Sequence, residues 1–336
     1  MSQNINVHLI SNMYPSNEFP VFGVFVKNTE TLLAKNNVRT IHKSIIKGRS
    51  KGFFKIIGYF KLFFNILVKF YSKKTNLIYV HFPLQTGIII YILRSFSNKK
   101  LVLNIHGSEM NGNIFLKYFL MKNLINSDLI VVPSSFFKYK LVSDFKLDID
   151  KIYVYPSGGI DLNVFKPLDK NFLRKKIGID ASVFVCSYIS TISNPKGWKT
   201  FFEASVILIK SIENIKFLVV GNGPQERDFK EAVTQYGLNK YYYFYDRQEQ
   251  KKLVEYYNCS DVFIFPSQSE SLGLVALEAL ACGIPVIAPN KEPFNEYVVD
   301  DYNGWLFKLQ DANSLANKIV HFMNSGNRKN ILKKNA

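Results

Sequence analysis

Residues 261–290, DVFIFPSQSESLGLVALEALACGIPVIAPN, predict a strand, a polar loop, a helix and a second strand in that order. The first apolar run ends at Pro266, and apolar residues then recur at helical spacing across residues 274–281. Gly283 ends the helix, and a second apolar run begins at Val286. A strand, a helix and a strand in this order form the unit from which a parallel α/β sheet is built.

Two carboxylates lie within this unit, Glu270 in the loop and Glu278 inside the helix. Between them, Gly273 and Leu274 stand at the helix start, where free backbone N–H groups and a glycine favour the binding of a phosphate. Glu278 is placed to accept hydrogen bonds from hydroxyl groups such as those of a ribose. The spacing leaves two interpretations open: a site for a phosphate and sugars, or a plain βαβ unit with solvated acids.

The ordered pattern Ser-x-x-Glu-x-x-Gly-Leu-Val-x-x-Glu-Ala-x-Ala-x-Gly-x-Pro-Val-Ile resembles the donor-site signature of retaining glycosyltransferases of family 4. These enzymes have the GT-B fold, so the resemblance implies two facing doubly wound Rossmann-like α/β domains with a cleft between them. It also implies that Glu270 holds the donor sugar and that Glu278 holds the nucleotide ribose. Leu272 stands where the family usually has an aromatic residue.

The length of 336 residues suffices for two α/β domains with large cores. Three cysteines, Cys186, Cys259 and Cys282, are far apart and show neither disulfide nor metal-ligand spacing, which predicts a reducing cytoplasm. No signal-peptide pattern opens the chain, and we expect no membrane-spanning helix because no window holds about 18 uncharged apolar residues.

The net charge of +17 is concentrated in the first half of the chain. Residues 1–167 contain 22 Lys and Arg against 8 Asp and Glu, whereas residues 168–336 contain 21 against 18. This asymmetry predicts a polyanionic partner, which could be a membrane surface, a nucleic acid or a phosphorylated substrate. A Lys-rich genome composition is the alternative, but the near balance of the second half argues against it as the whole explanation.

Residues 43–74 hold nine basic residues and no acidic residue among many Phe, Ile, Leu and Tyr. We predict one or two helices here, with Gly52 and Gly58 as weak points, that contact the anionic inner face of the cell membrane as a peripheral attachment. The alternative is a core helix whose lysines extend to water. A nucleic-acid partner is not expected, because no nucleic-acid-binding motif or zinc spacing is present.

Two motifs in the first half resemble parts of the same family. After a predicted strand at residues 5–10, Tyr-Pro and then Pro-x-x-Gly-x-Phe-Val resemble the loop that closes over donor phosphates and acceptor, which implies a role for Gly23. His106-Gly-Ser-Glu after a strand at residues 101–105 resembles the acceptor-side motif, which implies that His106 orients sugar hydroxyls. A histidine used only as a structural hydrogen-bonding link is the alternative for His106.

The domain boundary is predicted near Pro167. Ser157-Gly158-Gly159-Ile160-Asp161 resembles a variant of the Asn-Gly-Val-Asp found there in the family, and two adjacent glycines can supply a bend. The predicted domains are therefore an acceptor-binding domain, residues 1–167, and a donor-binding domain, residues 168–336.

Further family motifs fall in the second domain. Lys196 begins a helix and is suited to a diphosphate, while Thr191 stands where the family has an Arg. Gly221 and Gly223 match a Gly-x-Gly-Pro loop that binds the donor. Tyr245-Asp246-Arg247 stands where the family has a Phe-x-Gly around the nucleotide base, so the glycine is missing and this motif does not identify the base. The donor is predicted to be UDP- or GDP-linked.

The resulting hypothesis is a retaining hexosyltransferase that uses a nucleotide-sugar as co-substrate, with no cofactor and no metal. The acceptor is predicted to be a glycan or a polyprenyl-linked sugar in cell-envelope or exopolysaccharide biosynthesis. The catalytic group comprises His106, Lys196 and Glu270. A catalytically weak sugar- or nucleotide-binding subunit of a polysaccharide-assembly complex is the alternative, motivated by Thr191, Tyr245 and the short C-terminal helix.

Overall fold

The computed structural model describes residues 5–20, 22–156 and 158–325, and the chain divides into two compact units, Met1–Gly159 and Ile160–Ala336. The division therefore falls eight residues before the predicted boundary near Pro167. The reason is that Phe165 is buried in the core of the second unit, and that the Asn258 side chain donates to the Lys166 carbonyl at 3.1 Å. Ser157 of the predicted linker motif lies outside the described residues.

The first unit is a six-stranded, all-parallel sheet in the order β2-β1-β3-β4-β5-β6. Its elements are β1 (Ile5–Tyr14), α1 (Val24–Lys35), β2 (Val38–Lys47), α2 (Gly52–Phe70), β3 (Leu77–His81), α3 (Pro83–Arg94), β4 (Lys100–Asn104), α4 (Ile114–Asn126), β5 (Leu129–Val132), α5 (Ser135–Phe145) and β6 (Ile152–Val154). Because parallel crossovers are right-handed, α1 covers one face of the sheet and α2 to α5 cover the other.

The buried side chains of the first unit follow this division. Val26 of α1 belongs to a small core with Val7 and Leu9, whereas Leu62 and Leu120 belong to the larger core under α2 to α5. The strand order reverses at β1, so the loops after β1 and β3 flank the position where open α/β sheets bind ligands.

Of the segment 43–74, predicted to form one or two helices, only Gly52–Phe70 is helical, so the prediction is wrong for both ends of the segment. Residues 43–47 form the end of β2, because they pair in parallel with β1, as in the register Leu9 to Lys43 and Tyr14 to Lys47. Gly52 marks the start of the helix, as a weak point would, whereas the helix continues through Gly58 without interruption. No helix within the described part of the chain has the length and apolarity needed to cross a bilayer.

The second unit is also an all-parallel, six-stranded sheet, with the order β12-β11-β10-β7-β8-β9. Its elements are α6 (Lys170–Ile177), β7 (Phe184–Ile189), α7 (Trp198–Ile209), β8 (Ile215–Val220), α8 (Glu226–Gln235), β9 (Tyr242–Tyr245), α9 (Gln250–Asn258), β10 (Val262–Ile264), α10 (Leu274–Ala281), β11 (Val286–Pro289), β12 (Gly304–Phe307) and α11 (Ala312–Asn324). The strand–helix–strand unit predicted from residues 261–290 is confirmed as β10, α10 and β11.

The strand order of the second unit reverses between β7 and β10, which are neighbours in the sheet. The loops that follow these two strands therefore lie side by side at the carboxyl edge. Their backbones touch: Gln268 N–H donates to the Pro195 carbonyl at 2.8 Å. Gly197 has a φ of +74°, and a Cβ atom there would lie 2.0 Å from the Pro266 carbonyl oxygen.

We predict that Gly197→Ala is strongly destabilising. The methyl group would meet a backbone oxygen that cannot move without displacing the loop, and the positive φ adds about 1–2 kcal/mol. We expect the free energy of unfolding to fall by more than about 3 kcal/mol in urea denaturation. Gly178→Ala is the matched control, since Gly178 has a φ of +76° with no atom within 4 Å of the added Cβ. Equal losses for the two variants would contradict the steric argument.

Candidate active site

Lys196 and Glu270, predicted from separate motifs, meet at the carboxyl edge of the second sheet. Lys196 ends a short 3₁₀ helix (Asn194–Lys196) after β7, and Glu270 lies in the loop after β10. Lys196 Nζ is 2.5 Å from Glu270 Oε1, and Ser267 Oγ donates to the same oxygen at 2.7 Å. Glu270 is mostly buried while Lys196 is partly exposed, so the ion pair borders solvent. The structure thus places a cation and a carboxylate where the topology favours ligand binding.

Helix α10 begins beside this ion pair. Gly273 precedes the helix with a φ of +87°, and a Cβ atom there would lie 2.9 Å from both the Phe265 ring and the Tyr297 hydroxyl oxygen. Tyr297 in turn donates to the Leu272 carbonyl at 2.8 Å, which holds the turn that leads into Leu274. The positive end of the helix dipole therefore lies next to a turn that admits only glycine at its tightest point.

Glu278 is directed into the unit, with 2% of its surface exposed. Its two oxygens accept hydrogen bonds from Gln250 Nε2 at 2.7 Å and from the Tyr257 hydroxyl at 3.0 Å. The carboxylate that was predicted to bind a ribose is thus already hydrogen-bonded to two side chains of α9. Gln250 is the half-buried one of the two, whereas Tyr257 is fully buried. Burial raises the pKa of Glu278 to about 7.

We predict that Glu278→Gln changes how stability depends on pH. The folded carboxyl keeps its proton up to about pH 7 while the unfolded one loses it near 4.5, so the folded state binds more protons in between. The wild-type free energy of unfolding should therefore fall relative to the variant as pH rises through this window, by up to about 1.4 kcal/mol per pH unit. Urea denaturation between about pH 5 and pH 8 measures the difference. A difference that stays constant with pH would contradict a raised pKa.

The structure gives Gly221 and Gly223 a packing role. Cβ atoms at these positions would lie 2.0 Å from the Ser190 carbonyl oxygen and 2.3 Å from the Ile192 carbonyl oxygen. The loop after β8 therefore packs directly on the loop after β7, and this contact alone requires glycine. The predicted contact of both residues with the donor remains a prediction.

The missing arginine at Thr191 leaves the loop after β7 with an exposed hydroxyl residue, whose carbonyl accepts from Tyr188 at 3.3 Å. A second cation that the sequence analysis did not identify lies close by. Lys291, after β11, donates to the Gln268 carbonyl at 2.5 Å, and Gln268 N–H donates to the loop of Lys196. The signal available in the sequence was a lysine directly after a strand of the same sheet.

Tyr245, where the family has a Phe-x-Gly around the nucleotide base, packs on other parts of the second unit. Its hydroxyl donates to the Ile177 carbonyl at 3.1 Å, and its ring lies 5.1 Å from that of Tyr256. Its carbonyl accepts from Gly221 N–H at 2.9 Å. Because the Tyr245 side chain is engaged inside the unit, its contacts do not identify the base. The UDP- or GDP-linked donor therefore stays a prediction.

In the first unit, His106 forms an imidazole pair that the sequence analysis did not predict. His81 Nδ1 and His106 Nε2 are 3.0 Å apart, so one ring donates and the other accepts. Burial lowers the pKa of His106 to about 3 and that of His81 well below its usual value. The rings of Phe82 and Phe25 lie 4.2 Å and 4.8 Å from His106. The pair is therefore neutral at pH 7 and can donate or accept hydrogen bonds without carrying charge.

Glu109 fixes the turn that carries His106. Its carboxylate accepts from the His106 backbone N–H at 3.0 Å and is 1% exposed, and burial raises its pKa to about 7. The His-Gly-Ser-Glu pattern thus has a structural component, because the glutamate closes the turn after β4. The predicted contact of His106 with sugar hydroxyls is not tested by this arrangement.

Gly23 precedes α1 at the same edge of the first sheet, and a Cβ atom there would lie 2.7 Å from the Met13 carbonyl carbon. The loop before it and the end of β2 line a cavity of about 470 Å³. Lys47 and Arg49 lie in its wall together with Ser16 and Glu18. A basic cavity thus adjoins the loop that was predicted to act on phosphates and acceptor.

The sequence analysis predicted that the enzyme uses no metal, and this prediction remains untested. Across residues 5–20, 22–156 and 158–325, no three His, Cys, Asp or Glu side chains form a group that could hold a metal ion. The sequence does contain one Asp-x-Asp, Asp148-Ile149-Asp150, which the sequence analysis missed. Asp148 accepts from Asp150 N–H at 3.0 Å and so caps a 3₁₀ helix (Ile149–Lys151), with both carboxylates exposed.

Residues 169–336, which contain Lys196, Glu270 and Glu278, match the family described as glycosyl transferases group 1. The chain belongs to this family. The predictions of a glycosyltransferase enzyme and of the GT-B α/β fold are thereby confirmed. The chain is 26% identical over 288 residues to an uncharacterized glycosyltransferase of Methanocaldococcus jannaschii, which covers 85% of this chain and 75% of that protein.

The chain is also 31% identical over 197 residues to an alpha-monoglucosyldiacylglycerol synthase of Streptococcus pneumoniae, covering 57% of this chain and 44% of the synthase. The chain thus matches less than half of the length of that synthase.

Two solved structures share the fold. Sucrose-phosphate synthase from Thermosynechococcus elongatus has a TM-score of 0.79 at 20% identity, covering 98% of this chain and 92% of the synthase. Anabaena HepE, solved in complex with UDP and glucose, has a TM-score of 0.76 at 17% identity, covering 99% of this chain and 93% of HepE. At these identities the likeness concerns the fold alone.

Proposed function

We propose that this chain transfers a hexose-type sugar, with retention of configuration, from a UDP- or GDP-linked donor to a glycan or polyprenyl-linked acceptor in cell-envelope or exopolysaccharide biosynthesis. The observation that carries the proposal is the contact between Lys196 and Glu270 beside the start of α10. A cation and a helix start suit a diphosphate, and a carboxylate held next to them suits sugar hydroxyls.

The second unit would promote transfer by electrostatic stabilisation. As the glycosidic bond breaks, negative charge builds on the leaving diphosphate and positive charge on the sugar ring. Lys196 would turn from Glu270 to the diphosphate, and the first amides of α10, at Gly273 and Leu274, would add their dipoles. Glu270 would then be released to hold the donor sugar. No side chain is assigned as a nucleophile.

Glu278 and His106 would hold the two sugar-bearing partners. Glu278 would accept from the nucleotide ribose once Gln250 is displaced, while Tyr257 keeps its own hydrogen bond to the carboxylate. The neutral His106 would donate to or accept from hydroxyls of donor or acceptor, with its turn fixed by Glu109. Because the imidazole pair is uncharged, it is suited to hydroxyl groups rather than to a phosphate.

The names of two similar proteins support a UDP-linked donor and a lipid acceptor. HepE is described in complex with UDP and glucose, and the pneumococcal relative is named for a glucosyl-diacylglycerol product. The protein is predicted to lie in the cytoplasm at the inner face of the membrane. This location fits a lipid-linked acceptor and the basic first unit.

We predict that UDP- or GDP-sugars raise the thermal unfolding midpoint of the wild-type protein, because a ligand that binds only the folded state stabilises it. Lys196→Ala should reduce this shift and lower turnover of the effective donor by about a hundredfold or more. Both quantities are measured on the purified full-length chain, by thermal denaturation and by release of the nucleoside diphosphate.

Lys210→Ala is the matched control, since this lysine lies exposed just after the far end of α7. Unchanged turnover in Lys196→Ala would remove Lys196 from the site. A midpoint shift without turnover of any nucleotide-sugar would favour the alternative function, a binding subunit of a polysaccharide-assembly complex. That alternative draws on Thr191, which lacks the charge of the family's arginine, and on the engaged side chain of Tyr245.

Lys291 supplies a second positive charge in this proposal. Its hydrogen bond to Gln268 and the bond from Gln268 to Pro195 connect it to the loop of Lys196. A lysine in this place can compensate for the absent arginine at Thr191 as a point charge for the diphosphate.

We predict that Lys291→Ala weakens the binding of the free nucleoside diphosphate by about tenfold, the usual effect of losing one charge-assisted hydrogen bond. Lys291→Arg should retain most of the affinity, because it keeps the charge. Isothermal titration gives both dissociation constants, and equal affinity of the alanine variant and the wild type would show that Lys291 does not contact the donor.

A further inference from the structure

Helix α2 has two apolar sides, and only one of them is used by the fold. Leu62, Ile66 and Phe70 are buried in the core of the first unit. Apolar residues on the outward side recur at intervals of seven, four, three and four residues and therefore share one face of the helix. These outward residues are Phe53, Phe60, Phe64, Leu67 and Tyr71, and the three phenylalanines are 71%, 72% and 67% exposed.

The surface around this helix is basic and offers almost no acidic groups. Residues 31–127 contain sixteen Lys and Arg and a single acidic residue, Glu109. Glu109 is buried and accepts from the backbone, so it does not offset the charge at the surface. Lys61 is exposed and lies three residues before Phe64, so it stands beside the aromatic row. Lys51 and Lys55 are exposed at the start of the helix.

Helix α4 repeats the same combination on the same face of the sheet. Its first turn exposes Ile114 by 86% and also presents Phe115 and Tyr118. Lys122 lies with its Nζ 5.4 Å from the centre of the Tyr118 ring. Because helices of a parallel sheet begin where strands end, the first turns of α2 and α4 both lie at the carboxyl edge that carries His106.

We propose that the outward face of α2 and the first turn of α4 form a binding surface for the anionic headgroups of a lipid bilayer. Exposed aromatic and aliphatic side chains enter the headgroup region, while lysines contact the lipid phosphates. The complementarity of charge selects this occupant, since a basic surface without exposed carboxylates repels a second copy of itself. The proposal deepens the proposed function, because it would bring the carboxyl edge of the first unit to a lipid-linked acceptor.

The test is sedimentation of the full-length protein with vesicles, without any donor, so that its outcome is separate from nucleotide binding and turnover. Vesicles of phosphatidylcholine alone are compared with vesicles that contain phosphatidylglycerol as well. We expect binding to the anionic vesicles that weakens with added salt. Lys55→Gln with Lys61→Gln should lower the partition coefficient by about fivefold for each lysine. Phe60→Ser with Phe64→Ser should lower it by about tenfold or more.

The matched control removes the same chemistry from the second unit. Phe172 is 66% exposed on α6, and Lys251 and Lys252 are exposed on α9. Phe172→Ser with Lys251→Gln and Lys252→Gln should leave vesicle binding unchanged. All substituted residues are exposed, so thermal unfolding midpoints should stay close to that of the wild type. Equal binding to neutral and anionic vesicles, or equal losses in the control, would overturn the proposal.

A tryptophan reporter locates the contact on α2. Both native tryptophans, Trp198 and Trp305, are buried and give a constant background. Emission of Phe64→Trp should shift to shorter wavelength on addition of anionic vesicles, whereas Phe172→Trp should not respond. An unresponsive Phe64→Trp, or an oligomer that the Phe60→Ser and Phe64→Ser changes dissociate in the absence of lipid, would instead assign this face to protein association.

Discussion

The close approach of Gly197 to the Pro266 carbonyl is the contact on which the candidate site of the second unit depends. It joins the loop after β7 to the loop after β10, and these loops carry Lys196 and Glu270. A side chain at Gly197 would separate the two loops. Lys196 and Glu270 would move apart with the loops, and their 2.5 Å ion pair would break. The reversal of strand order between β7 and β10 makes the two loops neighbours, and the glycine then allows contact.

The signature at residues 261–290 predicted β10, α10 and β11 correctly, because helical and strand periodicity are local properties of a sequence. The sequence also named Lys196 and Glu270, but only as members of separate motifs, since their contact depends on how two distant strands pair. The partners of Glu278 could not be predicted for the same reason. Gln250 and Tyr257 lie 28 and 21 residues away in the chain, on a helix whose packing against α10 is a tertiary property.

Other differences from the sequence predictions have similar causes. Residues 43–47 resemble the helix that follows them in composition, yet pairing with β1 makes them a strand. The domain boundary lies before the predicted one because the apolar side chain of Phe165 is buried in the core of the second unit. His81 meets His106 only because β3 and β4 are adjacent in the sheet, which no local pattern in the sequence indicates.

The polar side chains at the carboxyl edges of the two sheets are stabilised in different ways. In the second unit, Lys196 and Glu270 form an ion pair at the border of solvent. In the first unit, His81 and His106 are uncharged because burial would make an ionised imidazole costly. These two arrangements underlie the proposal that a diphosphate binds to the second unit and sugar hydroxyls to the first.

The charge of the first 167 residues has an energetic consequence for folding. Their 22 basic and 8 acidic side chains repel one another more than they attract, and such self-repulsion opposes a compact state. A polyanionic surface that gathers around the folded unit would act as its counterion and relieve that repulsion. A bilayer with anionic headgroups would then be a ligand of the native state, and the stability of the protein would depend on the lipid around it.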